Sequence, residues 1–202
     1  MARPSNTEER REQITRGLVK VMARRGYDGA SIGDIARAAR LTPGLVHYHF
    51  KSKQEILLAA LEDLVARHEA KLDARLEAAN GDPVAQVAAF IDLHLGIGTD
   101  SDPEALACWV LLSGEALREP KVRAGYARAL ERLAKRLEDV VRRGIAGGVF
   151  SCEPLGAGAA ASALVATIQG FYTLAATARS VIPKGTAAAS TRRMAKGLLS
   201  HV

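Results

Sequence analysis

Residues 31–50 read Ser-Ile-Gly-Asp-Ile-Ala-Arg-Ala-Ala-Arg-Leu-Thr-Pro-Gly-Leu-Val-His-Tyr-His-Phe. Ser31 is an N-cap residue type with Asp34 three positions on, a capping-box pattern that predicts a short helix to about Ala38. Thr42 is a second cap, with Pro43 at the first helical position, where its missing N–H is no loss. Two short capped helices joined by a turn of three to four residues have helix-turn-helix spacing. Ile32, Ile35, Ala36 and Ala39 give the first helix an inward face, Leu41 fills the turn, and Val46 and Phe50 anchor the second. Thr42, Pro43, Gly44, Leu45, His47, Tyr48 and His49 then point outward. In such a motif the second helix enters the major groove, while helix ends and flanking basic residues take phosphates.

Outward from this stretch the helix punctuation continues. A helix from about Thr7 to Arg25 carries Ile14, Leu18, Val21 and Met22 on one face, and Gly26 ends it. Ser52 with Glu55 repeats the capping box and opens a helix to about Ala79, roughly 40 Å long at 1.5 Å per residue. Asp82-Pro83 and Asp102-Pro103 each place a cap before a proline, predicting helices over 83–97 and 103–117. Val122, Tyr126, Leu130, Leu133, Leu137 and Val140 keep a three-to-four spacing up to Gly144, Gly147 and Gly148. Pro154 is read as the start of an uncharged helix to about Ser180. A last helix beyond Gly185 carries Thr191, Met194, Leu198 and Leu199 on one side. Aromatics are only 4% of the chain and no segment alternates apolar and polar residues with period two, so the expected class is all-α.

Charge divides the 202 residues. Residues 1–53 hold 11 basic and 5 acidic residues, and the remaining 149 hold 17 of each sign. The division suggests an electrostatic footprint for nucleic acid or an anionic membrane in residues 1–53, beside a neutral body at 54–202 that does something else. With 48% apolar residues, a disordered or collagen-like chain is excluded. Cys108 and Cys152 are the only cysteines and are far apart, which excludes a disulfide framework or zinc ribbon and favours a reducing cytoplasm. Met1 to Arg10 has no hydrophobic leader segment. Leu155 to Ala178 runs 24 residues without a charge. Only six of these are Leu, Ile, Val or Phe, so a helix buried between protein surfaces is expected and no membrane partner.

Several spaced motifs across residues 8–58 together resemble the TetR family of bacterial transcriptional regulators. The matching residues are Gly26-Tyr27, Ser31-Ile32, Ile35-Ala36, Ala39-Arg40-Leu41-Thr42, Gly44-Leu45-Val46-His47, Phe50, Ser52-Lys53 and Ile56. The resemblance implies that Ser31 and Thr42 offer hydroxyls or helix-end N–H groups to phosphate. It also implies that Leu45 and His47 face base edges, Tyr48 and His49 the groove wall, and Lys53 a phosphate. Two departures stand out: Arg40 occupies a turn position where the family usually has Gly, which implies φ > 0, and His47 replaces the usual Tyr. From Trp109 to Arg123 the chain more loosely resembles a C-terminal branch that includes the choline-sensing repressors. The implied function is a ligand-responsive DNA-binding transcriptional regulator, a homodimeric repressor released from a near-palindromic operator by a small-molecule inducer.

In the neutral part, polar or aromatic residues on otherwise apolar faces are the ligand candidates: His68, Phe90, His94, Trp109, Ser113, Tyr126, Gln169 and Tyr172. Leu57, Leu61, Leu64, Val65, His68 and Leu72 form the inward stripe of the long helix, so a ligand near His68 is expected to tilt the end that carries Lys53. The last two helices, with Leu164, Ile168, Phe171, Met194 and Leu198, are expected to form the four-helix bundle of a dimer.

Two other signals lead nowhere. Gly29-Ala30-Ser31-Ile32-Gly33 fits the nucleophile-elbow pattern, but a glycine-terminated helix precedes it where a strand is required. His68 and His94, with Asp92 or Glu115, lack metal-binding spacing. No cofactor, metal or catalytic residue is therefore expected. Two alternative functions remain open on the residues alone: a helical small-molecule enzyme or carrier with a basic arm, and a non-specific architectural nucleic-acid protein.

Overall fold

The computed structural model describes residues 6–96 and 102–200. Residues 1–5, which hold half of the Met1–Arg10 stretch, and residue 97, the expected end of a helix, lie outside them. The described residues form nine α-helices: α1 (Asn6–Arg25), α2 (Ile32–Ala38), α3 (Pro43–His49), α4 (Lys53–Ala78), α5 (Pro83–Leu95), α6 (Pro103–Arg118), α7 (Pro120–Ala146), α8 (Ala157–Thr177) and α9 (Thr186–Leu198). The all-α expectation holds throughout them.

The caps explain why the short helices form where they do. Ser31 Oγ accepts the Asp34 N–H at 3.1 Å, Thr42 Oγ1 that of Leu45 at 3.3 Å, and Asp82 and Asp102 those of Val84 and Ala105, both at 2.9 Å. At the start of α4 the reciprocal bond is displaced by one residue: Ser52 Oγ accepts from Glu55 N, while the Glu55 carboxylate accepts from Lys51 N. The uncharged helix begins at Ala157, with Gly156 at its N-cap, rather than at Pro154.

Packing separates two compact units, Met1–Arg67 with Asp102–Ala127, and His68–Ser101 with Arg128–Val202. In the first, α1 packs on α2, α3 and α6 around Ile14, Leu18, Met22, Ile35, Val46 and Phe50. Because α1 is covered on more than one side, Thr15 and Val19 are also buried, whereas Val21, expected inward, is half-buried. Gly17 sits where α1 meets α2, and a Cβ there would lie 2.9 Å from the Ile35 carbonyl oxygen. The Cys108 thiol, 3.8 Å from the Met22 sulfur, is pushed by burial up to about 12. This disfavours the reactive thiolate.

The second unit holds an apolar core from Leu72, Phe90, Ile91, Leu137, Val140, Leu164 and Ile168, among others. Its α8 is long and apolar enough to cross a membrane by length and composition. Yet Ala157, Ala160, Ala161, Leu164, Val165 and Ile168 of that helix are buried in the unit's own core. Leu164 and Ile168, expected at a dimer interface, are 1% and 0% exposed. They are core residues, because the opposite face of α8, made of alanine, serine, glycine and threonine, is the one left open.

Candidate nucleic-acid interface and ligand-binding residues

The turn between α2 and α3 adopts the backbone its sequence implied: Arg40 has φ +56°. Thr42 then turns the chain into α3 from an extended conformation, φ −85°, ψ 151°. Val46 and Phe50 pin α3 to the core at 0% and 2% exposure. Thr42, Pro43, Gly44, His47 and Tyr48 are exposed, Tyr48 by 81%, and Leu45 and His49 are half-buried. The Tyr48 and His49 rings meet edge to face at 5.0 Å. No carboxylate lies within α3, so its open face presents donors, rings and a helix N-terminus to a partner.

Ser31 is exposed, but its hydroxyl is engaged: it donates to Asp34 Oδ2 at 2.6 Å. The Asp34 carboxylate also takes Arg37 at 2.8 Å and Arg25 at 3.3 Å. The Ser31 hydrogen bond above all, with Arg37 and Arg25, holds its pKa below the ordinary value. Lys53 is half-buried. Its ammonium donates to the Tyr27 carbonyl at 2.9 Å and lies 4.3 Å from the Tyr27 ring centroid. It thus ties α4 to the loop after α1, and its remaining N–H donors are what a phosphate would meet.

Two arginine and glutamine contacts escaped the sequence reading. Arg11 of α1 donates to the His49 carbonyl at 2.6 Å, and Gln13 donates to the Ala39 carbonyl at 2.6 Å. Both link residues far apart in sequence, and neither leaves a local pattern.

The eight ligand candidates fall into two sets. In the first unit, the Trp109 and Tyr126 rings meet at a tilt of 32° with centroids 4.5 Å apart, and burial pushes the Tyr126 hydroxyl up to about 12. Ser113, in the same unit, donates to its own helix at Val110. In the second unit, His94 is the centre of a ring cluster, with centroids 4.5 Å from His68, 4.6 Å from Phe90 and 6.3 Å from Tyr172. Phe90, at 0% exposure, belongs to the core. Gln169 is half-buried on α8, three residues before Tyr172.

The two histidines have assigned roles. His94 Nδ1 lies 2.6 Å from the Phe90 carbonyl, which only accepts, so Nδ1 carries the proton and Nε2 is left as an acceptor. His68 Nε2, 2.8 Å away, must then donate to it. Burial, and then His68, push His94 down to about 3 against the opposing Phe90 bond. Burial and Lys71 lower His68 against Glu69. Among the described residues no group of three or more His, Cys, Asp or Glu is placed to hold a metal. Of the expected dimer residues, Met194 is 52% exposed and Phe171 and Leu198 are half-buried.

Residues 14–60 match the family described as bacterial regulatory proteins, tetR family, and residues 83–200 match the BetI-type transcriptional repressor C-terminal region. The HTH-type transcriptional regulator BetI of Rhizobium meliloti (strain 1021) is 30% identical over 124 residues, 60% of each chain. BetI of Agrobacterium fabrum is 28% identical over 164 residues, 81% of this chain and 75% of the relative. A solved transcriptional regulator from Saccharomonospora viridis, in complex with choline, is 27% identical with a TM-score of 0.80, covering 96% of this chain and 97% of that one.

Proposed function

The chain belongs to the TetR family of bacterial transcriptional regulators, with a BetI-type repressor C-terminal region, and from that premise we propose that it is a homodimeric repressor of its own neighbouring genes, released from a near-palindromic operator by a small quaternary ammonium ligand. The observation that carries the DNA-reading part is the open face of α3: capped at Thr42, pinned by Val46 and Phe50, and exposing His47 and Tyr48. DNA reading is assigned to residues 1–53, and ligand binding and dimerisation to residues 54–202.

The ligand class is supported by the clustered aromatic rings, since a ring face attracts a quaternary ammonium, and by the choline bound in the S. viridis relative. Trp109 with Tyr126 is one candidate set of contacts, and the His94 cluster is a separate one. Helix α4 runs unbroken from Lys53 to Ala78. A ligand that shifts it at His68 therefore shifts its first turn, and DNA affinity falls by population shift when the two recognition helices leave the spacing of successive major grooves, about 34 to 36 Å. Such a regulator works in the cytoplasm and needs no catalytic residue.

The test is a band-shift with full-length protein. It should prefer a duplex taken from DNA flanking its own gene over a random duplex, and choline should dissolve the complex. No preference between duplexes would sink the reading. Preference without a choline effect would leave the regulator standing and remove the ligand. A thermal-shift measurement separates the two, since choline at 100 times its Kd stabilises by about 2.7 kcal/mol.

A further inference from the structure

The recognition helix α3 is seven residues long, and a helix this short does not hold its own geometry in water. Its N-terminal end is fixed by the Thr42 cap. Its C-terminal end is fixed from outside, by a residue 38 positions earlier in the chain. Arg11 NH1 donates to the carbonyl of His49, the last residue of α3, at 2.6 Å. The guanidinium carbon lies 4.0 Å from the centroid of the Phe50 ring, the C-cap residue. Arg11 NH2 lies 3.8 Å from the Glu55 carboxylate, which itself accepts the Lys51 N–H at 2.8 Å. One side chain of α1 therefore joins the end of α3, its cap and the first turn of α4.

The chemistry suits the place. A cation at a helix C-terminus meets the negative end of the helix dipole. The planar guanidinium also serves a carbonyl, a ring face and a carboxylate together, which an ammonium does not match. We propose that Arg11 is a positioning residue for base readout: it sets the angle of α3, and hence of Leu45 and His47, while its own charge is taken up by the protein rather than by phosphate. Gln13, which holds the Ala39 carbonyl beside the strained turn, braces the preceding helix in the same way. The inference rests on the DNA-reading function proposed above.

The test measures affinity of the full-length protein for the duplex flanking its own gene and for a random duplex of equal length, by fluorescence anisotropy over a series of salt concentrations. Arg11→Met is expected to lower affinity for the specific duplex about tenfold or more, the scale of one lost charge-assisted hydrogen bond. It leaves affinity for the random duplex within about twofold, and the slope of log affinity against log salt unchanged, because no phosphate contact is removed. Arg11→Lys, which keeps the cation but not the fork, falls between the two. An equal loss on both duplexes, with a slope shallower by about one unit, makes Arg11 a phosphate ligand and overturns the proposal. So does unchanged specific affinity. If Arg11→Met melts below the assay temperature, Arg11→Lys decides: specific affinity equal to that of the unaltered protein, at an equal melting temperature, overturns it. Should the unaltered protein fail to distinguish the duplexes, the DNA-reading function falls and this inference with it. A specific preference undiminished in Arg11→Met removes the inference alone.

Discussion

Arg40 keeps φ +56°, where an L-residue's Cβ crowds its carbonyl and glycine has no such penalty. Arg40→Gly is expected to stabilise the first unit by about 0.5–1 kcal/mol, the relief of that crowding less the added freedom of the unfolded chain. Chemical denaturation reads it, and a loss of stability would show that the arginine side chain contributes more than the strain removes. His94 works in the opposite direction. Its folded pKa, pushed by burial to about 3, lies below the unfolded value of roughly 6.5. Below that upper value the unfolded chain takes a proton that the folded chain refuses, so this contribution to stability is full above it and is lost as pH falls toward 3. From pH 7 to pH 5 the loss is about 2 kcal/mol, and His68, lowered in the same sense, adds to it. Denaturation at both pH values should show a smaller drop in His94→Gln than in the unaltered protein; an equal drop would mean that the pair does not titrate as its burial requires.

Elements were legible where their determinants are local. Ser31, Thr42, Asp82 and Asp102 each cap the helix their type and spacing imply, because a cap bonds an N–H two or three residues away. Pro154 does not start α8, since proline marks a helix start only where a helix follows directly, and Gly156 intervenes at φ +79°. A single apolar stripe on α1 does not anticipate a helix packed by both α2 and α6. Much the same holds for the candidate site. Thr42, Pro43, Gly44, His47 and Tyr48 of the outward set follow from periodicity, while Leu45 and His49 are half-buried, and the tie of Lys53 to Tyr27 spans 26 residues and leaves no local trace. Helix-on-helix approach was likewise invisible at Gly17. Gly17→Ala, which puts a Cβ 2.9 Å from the Ile35 carbonyl oxygen, is expected to destabilise by about 1–3 kcal/mol through overpacking, read as a lower midpoint in urea. On the open face of α3, His47→Ala should change sequence preference. Lys53→Ala should instead weaken all duplexes and flatten the salt slope by about one unit; identical salt slopes for the two variants would refute the division of roles.

At the scale of the whole molecule the question is what α8 leaves uncovered. Its buried residues line one face, and the other exposes Ala159, Ser162, Ala163, Ala166, Gly170 and Thr173. The side chains there are small enough for a second helix to approach closely, and Met194 on α9, 52% exposed, adds apolar area in the same unit. A two-fold axis would set this face of one protomer against the same face of another, and a dimer so made presents two copies of α3 to two half-sites. Charge placed on the face should separate the copies without disturbing the core beneath. Ala166→Arg is expected to convert the protein to a monomer in analytical ultracentrifugation while its circular dichroism stays helical. Operator affinity should then fall by about a hundredfold or more, because two linked heads bind with an avidity that one head lacks. Affinity for a single half-site should hold. If Ala166→Arg sediments as a dimer, the interface lies on another face of the molecule; if it is monomeric yet binds the full operator undiminished, one protomer reads the site alone and the operator has no need of symmetry.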